Sequence, residues 1–471
     1  MERSPLSDNE TYRVIVLRKP GAEVLLAPRS AGFSLPEVTI PRWQRVPENL
    51  TAVVKRQWGE EVVCLFHPDT STLGLDDNQI HYQVAEHWRH FGESEVPTRW
   101  VPVEDLRQNS FVYPSDYAVT QRSLAECDTW ARDPVAGPFA RLGWFKELCE
   151  WIEGVVAPRR LHLSGNFRQL NASPSFSLIR FETDGPAVWF KAVGGHNLRE
   201  FPITLAVHRL FPQFFPVVLA TRPEWHGWIT KEFEGCALDT FTDTSFWRRA
   251  ASALGELQAE SCERTNQFLG VGCRDLRHSA LLQLVDPFTE VVAELMKEQT
   301  KIPPAPLLRR DLLALATQIK DAITALAELE IPDALGHLDL NPGNVLTSAE
   351  QCVFLDWADA HVGPPFLTFE YLRAHVLRAS NNTASLESAI AEAYAAQWTK
   401  RLTPETIAKG YDLSPLVAVF AYASGTELWR DANRISETHT AGYLRSLTRR
   451  MNNEARVLAE KTPARFSIYT S

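Results

Sequence analysis

The sequence predicts an α+β protein in which strand-rich segments come first and helices follow. From about residue 160 the chain reads as a β-hairpin, and after Asp239 most segments have the apolar spacing of helices. Strands followed by helices are typical of α+β domains, so we expect a small β-rich lobe and a helical lobe with a cleft between them. At 471 residues the chain is long enough for two or three domains.

The first 150 residues alternate strand-like and turn-like segments. "YRVIVLRKPGAEVLLAPR" predicts two strands around a Pro-Gly turn, and "PENLTAVVKRQWGEE" predicts a helix that begins near Pro47. Further strands are predicted in "IHYQVAEHWRHF" and "TRWVPVEDL". A boundary in "ARDPVAGPFARLG" precedes the helix predicted in "WFKELCEWIEGVV". We therefore assign residues 1–140 to a first domain and residues 141–160 to a linker helix.

The next segments predict the β-rich lobe, residues 161–236, and the helical lobe, residues 237–471. "FSLIRFETDGPAVWFKAVGG" predicts a hairpin that turns at Asp184-Gly185. "NLREFPITLAVHRLF" predicts a helix with Pro202 in its first turn, and "GWITKEFEGCAL" predicts a strand and a connector. Helices are predicted in "SFWRRAASALGELQAES", "LRRDLLALATQIKDAITALAELE", "SLESAIAEAYAAQWTKRL" and "SPLVAVFAYASGTELWRDANR".

The composition is typical of a soluble globular protein, with 45% hydrophobic and 23% charged residues. A net charge of −10 argues against nucleic acid as a partner. Seven cysteines without a C-x-x-C pair predict free thiols. We see no signal peptide in "MERSPLSDNE" and no apolar stretch of membrane-spanning length, so we expect a cytoplasmic protein without a membrane partner. The sequence predicts no oligomeric state.

Polar side chains gather in "HLDLNPGNVLTSAEQCVFLDWADAHVGPP", on predicted loop and strand. Phosphoryl transfer from ATP needs a carboxylate for the attacking hydroxyl, oxygen ligands for Mg²⁺ and a cation on the phosphates. Asp339 is the candidate for the first role, and Asn344 and Asp356 offer the hard oxygen ligands that Mg²⁺ prefers. Lys191 in the strand "AVWFKAV" is the candidate cation, with Glu200 in the next helix as its partner.

H-x-D-x-x-x-x-N followed by "LDW" resembles the motif of the aminoglycoside phosphotransferase and choline kinase family, whose fold is protein-kinase-like. The order of "AVWFKAV", "WITKEFEGCAL", "HLDLNPGN" and "VFLDWADAHVGPPFLTFEYL" extends the resemblance over about residues 160–450. The resemblance implies a kinase for a hydroxyl group of a small molecule, with ATP and Mg²⁺ as cofactors. It implies Asp339 as catalytic base, Asn344 and Asp356 as Mg²⁺ ligands, Lys191 and Glu200 at the phosphates, and backbone near Glu232 and Glu234 at the adenine.

The chain departs from this family at three places. Leu338 and Asn341 stand where members often have a glycine and a second histidine, although neither position has direct chemistry. The loop over the phosphates is expected in "QLNASPSFSLIRF". It has no glycine run, and Asn171, Ser173 and Ser175 are its polar candidates.

The N-terminal residues are similar to a Nudix α/β domain. "AEVLLAPRSAGFSLPEV" resembles the strands that lead to the Nudix helix. A Nudix hydrolase binds metal through clustered helical glutamates. If Gly59 is the last glycine of that motif, Arg56 and Gln57 stand where the paired glutamates belong, and Glu60 and Glu61 come too late. We therefore expect a Nudix-like module without hydrolase activity.

Alternative interpretations remain for the function and for single residues. The chain is alternatively a catalytically silent kinase-like binding module, or a Nudix-type hydrolase. Asp and Asn also favour turns and caps, so each motif residue has a structural alternative. The acceptor is an amino sugar, an amino alcohol or a sugar. Glu370, Glu427 and Asp431 would attract a cationic acceptor, or they form a solvated helix face.

Overall fold

A computed structural model gives the fold of the chain. It describes residues 9–19, 23–70, 80–130, 132–133, 137–379 and 383–461. The chain forms two compact units, one of residues 1–201 and 217–232 and the other of residues 202–216 and 233–471. The first unit is rich in strands and the second is largely helical, so the α+β class is confirmed. The Pro20-Gly21 turn, the first eight residues and parts of the predicted boundary at 131–136 lie outside the described residues.

The first unit begins with a mixed sheet between helices. Its seven strands are β1 (Asn9–Arg18), β2 (Glu23–Arg29), β3 (Gly32–Ser34), β4 (Glu37–Pro41), β5 (Glu60–Phe66), β6 (Ile80–His90) and β7 (Arg99–Pro102). The helices are α1 (Val46–Trp58) and α2 (Pro114–Trp130). β1 is parallel to β6 and antiparallel to β2 and β4. The strands and the helix predicted here are confirmed.

The sheet is buried on both faces, which explains the continuous apolar run in β1. Val14 and Val16 pack in the cluster that contains Leu50 and Val54 of α1. The alternate β1 residues, Ile15 and Leu17, pack in a second cluster with Val119 of α2. Side chains that alternate between two covered faces are what a sheet between helices requires.

α1 ends where the sequence places the last glycine of the Nudix-like motif. Gly59 has a φ of 64°, and a Cβ atom there would lie 2.0 Å from the Gly92 carbonyl oxygen, so only glycine fits. Glu60 and Glu61 follow in β5, beyond the helix, as predicted. Both carboxylates have side-chain partners. The Glu60 carboxylate contacts His87 and His90, and that of Glu61 contacts Lys55 and Arg89. The Nudix resemblance itself stays a prediction.

A helix and a second, five-stranded antiparallel sheet complete the first unit. The helix is α3 (Trp144–Val156), and the strands are β8 (Leu163–Ser173), β9 (Phe176–Thr183), β10 (Val188–Val193), β11 (Val218–Arg222) and β12 (Gly227–Lys231). Their order in the sheet is β11-β12-β10-β9-β8, and α4 (Glu200–Leu210) follows β10 along the chain. This arrangement is that of the β-rich lobe of a protein-kinase-like fold. The predicted hairpin and the helix that contains Pro202 are confirmed.

The two sheets of the first unit share one hydrophobic core. Val84 of β6, Phe145 of α3 and Phe181 of β9 belong to the same cluster of buried residues. A buried glutamine also joins the sheets. The Gln169 side chain of β8 accepts a hydrogen bond from the Cys64 backbone N–H of β5 (2.7 Å) and donates one to the Cys64 carbonyl (2.8 Å). The segments predicted as N-terminal domain, linker helix and β-rich lobe therefore pack as one unit, except residues 202–216 and 233–236, which belong to the second unit.

The second unit consists of helices and two small three-stranded sheets. The helices are α5 (Thr244–Ser261), α6 (Thr265–Gly270), α7 (His278–Lys297), α8 (Arg309–Ala327), α9 (Phe366–Ala379), α10 (Thr383–Trp398), α11 (Pro404–Gly425), α12 (Ala432–Ser436) and α13 (Thr438–Lys461). The strands are β13 (Cys236–Ala237), β14 (Arg274–Asp275), β15 (Ala334–His337), β16 (Val345–Thr347), β17 (Cys352–Phe354) and β18 (Ala360–Gly363). Across the described ranges, none of the helices combines the length and apolarity that crossing a membrane requires.

The predicted helices of this unit are confirmed, with one difference in extent. α11 begins ten residues before the predicted Ser414-Pro415 start and ends at Gly425, whereas the prediction continued to Arg434. Pro415 lies inside the helix rather than at its start. The chain then makes a short 3₁₀ turn before α12, whose first turn is capped by the Asp431 carboxylate. The sequence pattern does not predict this break, because the residues on both sides of it have the apolar spacing of helices.

Replacing Gln169 by alanine should destabilise the first unit. The substitution leaves the N–H and carbonyl of Cys64 without their side-chain partner, and each unpaired buried group costs about 1–3 kcal/mol. Thermal unfolding followed by circular dichroism should give a lower melting temperature for Q169A. Gln108→Ala is the control, since Gln108 is exposed and its side chain makes no hydrogen bond within the described residues. Equal melting temperatures for the two variants would show that the Gln169–Cys64 hydrogen bonds do not stabilise the first unit.

A second prediction concerns Glu86, a buried carboxyl of β6 that accepts a hydrogen bond from the Gly143 backbone N–H before α3 (2.5 Å). Burial raises the pKa of Glu86 to about 7, although this N–H and two nearby cations oppose the shift. The folded state therefore favours the protonated carboxyl. The protonated Glu86 carboxyl contributes stability that is fully present below the unfolded pKa of about 4.5. This contribution is lost as the pH rises through the folded pKa of about 7.

Glu86→Gln, which is neutral at every pH, should therefore remove this dependence. We expect the melting temperature of E86Q to exceed that of the wild type at pH 8, and the difference to shrink toward pH 5. Unfolding scans of both proteins across this range check it. A difference that does not vary with pH would show that Glu86 is not the titrating group.

Candidate functional site

The motif residues of the second unit lie on a loop and on the hairpin that follows it. β15 ends at His337, and Asp339 lies in the loop after it. Asn344 ends a short 3₁₀ turn, Pro342–Asn344, whose first amides are capped by the Asn341 side chain (Gly343 N–H to Oδ1, 2.9 Å). The chain continues through β16 and β17 to Asp356. Pro342 and Gly343 limit the helical conformation here to a single turn, as the sequence predicted.

The buried side chain of His337 holds two parts of this site. Its Nδ1 accepts the backbone N–H of Asp339 (3.1 Å), and its Nε2 donates to the carbonyl of Leu355 (2.9 Å). These partners are those of a neutral imidazole with its proton on Nε2. His337 therefore fixes the loop by hydrogen bonds, and the same ring also holds the residue before Asp356.

Three donors surround the half-buried carboxylate of Asp339. Oδ1 accepts from Asn341 Nδ2 (3.2 Å) and from the Tyr371 hydroxyl (3.2 Å), and Oδ2 accepts from Asn344 Nδ2 (3.3 Å). The Asn344 amide also donates to the Asp339 carbonyl (2.9 Å). The carboxylate is thus oriented by neutral donors, while no cation is paired with it among the residues that the structure describes.

Asn344 and Asp356 lie at the same end of the β16–β17 hairpin. Val345 pairs with Phe354, and the Leu355 N–H donates to the Asn344 carbonyl (2.8 Å), which places Asp356 one residue beyond this contact. Asp356 has a φ of 63°, a left-handed conformation that aspartate and asparagine adopt more readily than other residues with a side chain. The pair supplies amide and carboxylate oxygens, which fit a hard divalent cation. Within the described residues no three His, Cys, Asp or Glu side chains gather as a metal site.

The predicted cation and its partner meet in the first unit. Lys191 Nζ lies 2.5 Å from Glu200 Oε1, and the two side chains are 13% and 1% exposed. The ammonium also lies 5.5 Å from the centre of the Phe176 ring and 5.9 Å from that of Trp228. This lysine is therefore a largely buried cation on the middle strand of the sheet, held by a carboxylate.

Ser173 and Ser175 form the tight turn between β8 and β9. The Ser175 N–H donates to Ser173 Oγ (3.3 Å), and the next residue, Phe176, pairs with Val193 of β10. Because the Phe176 ring also lies beside Lys191, the structure brings this turn and the lysine to the same part of the first unit. Their spacing along the sequence does not show this proximity.

Glu232 and Glu234 were also predicted as site residues. The structure does not bring their side chains together. The Glu232 carboxylate takes two hydrogen bonds from Arg180 (2.6 and 2.8 Å), which lower its pKa, and its N–H donates to the Ala187 carbonyl (3.0 Å). Glu234 is exposed, and the chain passes from the first unit to the second between Glu232 and Phe233. Binding through the backbone of this segment stays a prediction.

Three acidic residues considered for steering a cationic acceptor have other partners. Glu370 is 7% exposed and pairs with Arg373 (2.7 Å), and burial raises its pKa. Glu427 pairs with Arg274 (2.9 Å), and Asp431 caps α12. The interpretation as a solvated helix face is therefore wrong for Glu370, because its carboxylate is inside the unit.

Packing beneath the loop explains one glycine that the sequence analysis did not consider. A Cβ atom at Gly336 would lie 2.3 Å from the ring of His361, which pairs with Gly336 across β15 and β18. His361 is fully buried, and the structure shows no hydrogen-bond partner for either ring nitrogen within its described part. Burial, with the nearby His337 and Arg274, lowers the pKa of His361 to about 3, so the ring is neutral.

Tyr371 is the site residue that the sequence analysis missed. It lies in "FLTFEYL" on α9, 32 residues after Asp339, and its hydroxyl contacts the Asp339 carboxylate. The only local signal is a tyrosine on a helix that follows the motif, and helix periodicity does not show which residue faces a distant loop. Asp359, in the short turn after Asp356, pairs with Arg274 (2.8 Å).

The part of the chain that carries the motif residues is similar to a family of phosphotransferases. Residues 234–401 match the family model described as the phosphotransferase enzyme family, APH. The match contains Asp339, Asn344 and Asp356, and it confirms for this part of the chain the resemblance predicted from the motif. No protein of curated function matches the chain significantly.

Solved structures with similar folds include three phosphotransferases. The macrolide 2'-phosphotransferase of Brachybacterium faecium is 16% identical to this chain and has a TM-score of 0.43. The alignment covers 64% of this chain and 97% of the phosphotransferase. The choline kinase of Streptococcus pneumoniae is 13% identical, with coverages of 67% and 99% and a TM-score of 0.43. Spectinomycin phosphotransferase, in complex with ADP and spectinomycin, is 13% identical, with coverages of 67% and 98% and a TM-score of 0.41.

Proposed function

We propose that the protein is an ATP- and Mg²⁺-dependent phosphotransferase that moves the γ-phosphate to a hydroxyl group of a small molecule. The acceptor class is an amino sugar, an amino alcohol or a sugar. The observation that carries the proposal is the arrangement of Asp339, Asn344 and Asp356 around the His337 ring. The match of residues 234–401 to a phosphotransferase family supports it independently.

Asp339 is the residue that accepts or orients the proton of the attacking hydroxyl. A carboxylate accepts hydrogen bonds at about four lone-pair positions. Asn341, Asn344 and Tyr371 use three of them in the structure. The remaining position is available to the hydroxyl of an acceptor. The three donors are neutral, so none of them pairs with the carboxylate as a cation would.

Asn344 and Asp356 would hold Mg²⁺ through an amide and a carboxylate oxygen. Mg²⁺ bound by few protein ligands takes its remaining ligands from substrate phosphates and water. Bound there, the ion would neutralise charge on the phosphate oxygens during transfer. The left-handed backbone at Asp356 is the kind of conformation that a binding site retains when the surrounding structure enforces it.

Lys191 supplies the cation for the nucleotide phosphates, and Glu200 orients it. Burial of the pair fixes the ammonium more firmly than an exposed lysine would be fixed. Ser173 and Ser175 contribute hydroxyl and backbone donors at the hairpin turn beside it. The backbone near Glu232 and Glu234 binds the adenine. Since the Glu232 N–H already bonds to the Ala187 carbonyl and the Gly235 N–H to the Phe233 carbonyl, the Glu232 carbonyl and the Phe233 N–H are the groups that we assign to this contact.

Replacing Asp339 by asparagine tests the catalytic role. General-base removal typically lowers the rate about 10²–10⁴-fold, so we expect D339N to lose turnover and to keep MgATP binding. ATP consumption should be measured across a panel of amino sugars, amino alcohols and sugars. Asp412→Asn is the matched control, because Asp412 is an exposed aspartate of the same unit, paired with Lys461. A kcat of D339N equal to that of the control would remove Asp339 from the mechanism.

Replacing Asp356 tests the metal role. Asparagine keeps the left-handed backbone at low cost, whereas alanine adds strain, so D356N separates the loss of the charge from a backbone effect. We expect D356N and Asp356→Ala both to lose the Mg²⁺-dependent part of ATP affinity in calorimetry with and without Mg²⁺. Unchanged affinity with unchanged Mg²⁺ dependence would make this aspartate purely structural.

A further inference from the structure

The hydroxyl of Tyr371 contacts the proposed catalytic carboxylate from outside the motif. It donates to Asp339 Oδ1 at 3.2 Å, and it comes from α9. The other two donors to this carboxylate, Asn341 and Asn344, belong to the same loop as Asp339. These two donors move with the loop. Among the described residues, Tyr371 is the donor that fixes the carboxylate relative to the helices of the unit.

Aromatic neighbours from two other helices fix Tyr371 in turn. Its ring lies 5.5 Å from that of Tyr422 on α11, at an interplanar angle of 33°. The Tyr443 hydroxyl on α13 donates to the Tyr422 hydroxyl (2.8 Å). Burial, the bond from Tyr443 and the negative charge of Asp339 all raise the pKa of Tyr422, so its phenol stays neutral. The position of the Tyr371 ring is therefore set by packing between three helices.

A second contact supports the ring from its own helix. His375 lies one turn after Tyr371 on α9, with ring centres 5.1 Å apart. Side chains four residues apart on a helix are neighbours, so this contact needs no distant element. With one face against Tyr422 and His375 nearby, the tyrosine has little freedom to turn its hydroxyl away from Asp339.

We propose that Tyr371 is a positioning residue for phosphoryl transfer. Its hydroxyl holds Oδ1 of Asp339, so that the remaining lone-pair position of the carboxylate faces the acceptor hydroxyl in one fixed orientation. The inference rests on the proposed function, because it gives Tyr371 a role only through Asp339. The tyrosine itself exchanges no proton with the acceptor.

Tyr371→Phe is the decisive variant, because it keeps the ring and removes only the hydroxyl. Misplacement of a reacting group by about 1 Å costs up to about 100-fold in rate, so we expect kcat of Y371F to fall by about 10–100-fold. The affinity for MgATP, measured by calorimetry, should stay unchanged, because Asp339 does not hold the nucleotide. Tyr411→Phe is the matched control, since it removes a tyrosine hydroxyl bond, to the Ala391 carbonyl (3.0 Å), elsewhere in the same unit.

Four results decide the inference. A lower kcat for Y371F alone, with MgATP affinity and melting temperature close to those of Y411F, supports it. Equal kcat for Y371F and wild type overturns it and leaves the proposed function standing. A loss of kcat in Y371F that only follows a matching loss of melting temperature also overturns it, because the hydroxyl would then be structural. Absence of turnover and of MgATP binding in the wild type overturns the proposed function, and this inference with it.

A crystal structure of Y371F gives a readout that does not depend on turnover. We expect the Asp339 carboxylate to rotate or to occupy two conformations when its Oδ1 loses the tyrosine donor. A carboxylate in the wild-type orientation, with Asn341 and Asn344 as its only donors, would show that the loop alone orients it and would overturn the inference.

Discussion

The site depends on one buried imidazole that joins two segments of chain. His337 binds the Asp339 N–H on one side and the Leu355 carbonyl on the other, and these residues are 16 positions apart. Together with the bond from the Leu355 N–H to the Asn344 carbonyl, this ring fixes the motif loop against the end of β17. A neutral imidazole suits the role because it offers one donor and one acceptor on opposite sides of a rigid ring. The His361 ring packed beneath Gly336 completes the buried layer under the loop.

The N-terminal residues are an integral part of the first unit. A hydrophobic core extends from the mixed sheet through α3 to the five-stranded sheet. The Gln169 side chain also forms hydrogen bonds with the backbone N–H and the carbonyl of Cys64. Separating the two sheets would expose apolar surface and break both of these hydrogen bonds, and both changes are unfavourable. The N-terminal segment therefore supports the sheet that carries Lys191.

The predicted site residues form two groups, one in each unit. Lys191, Glu200, Ser173 and Ser175 are grouped in the first unit, and Asp339, Asn344 and Asp356 in the second. The first group has a cation for the phosphates of the proposed reaction. The second group has oxygen ligands for Mg²⁺ and a base. The sequence analysis predicted that Lys191 pairs with Glu200, nine residues away on another element. The structure contains this pair, and both side chains are largely buried.

The sequence by itself determined the motif and the local elements that carry it. The spacing of His337, Asp339 and Asn344 fixes their relative positions, since a short loop between strands leaves little freedom. Asp356 at the end of an apolar strand was predicted for the same reason. Only the tertiary structure decided that Tyr371 meets Asp339, that Gln169 meets Cys64 and that Glu370 is buried with Arg373. The first two contacts join residues 32 and 105 positions apart. Periodicity shows which face of a helix or strand is apolar, but it does not show which distant element packs against that face.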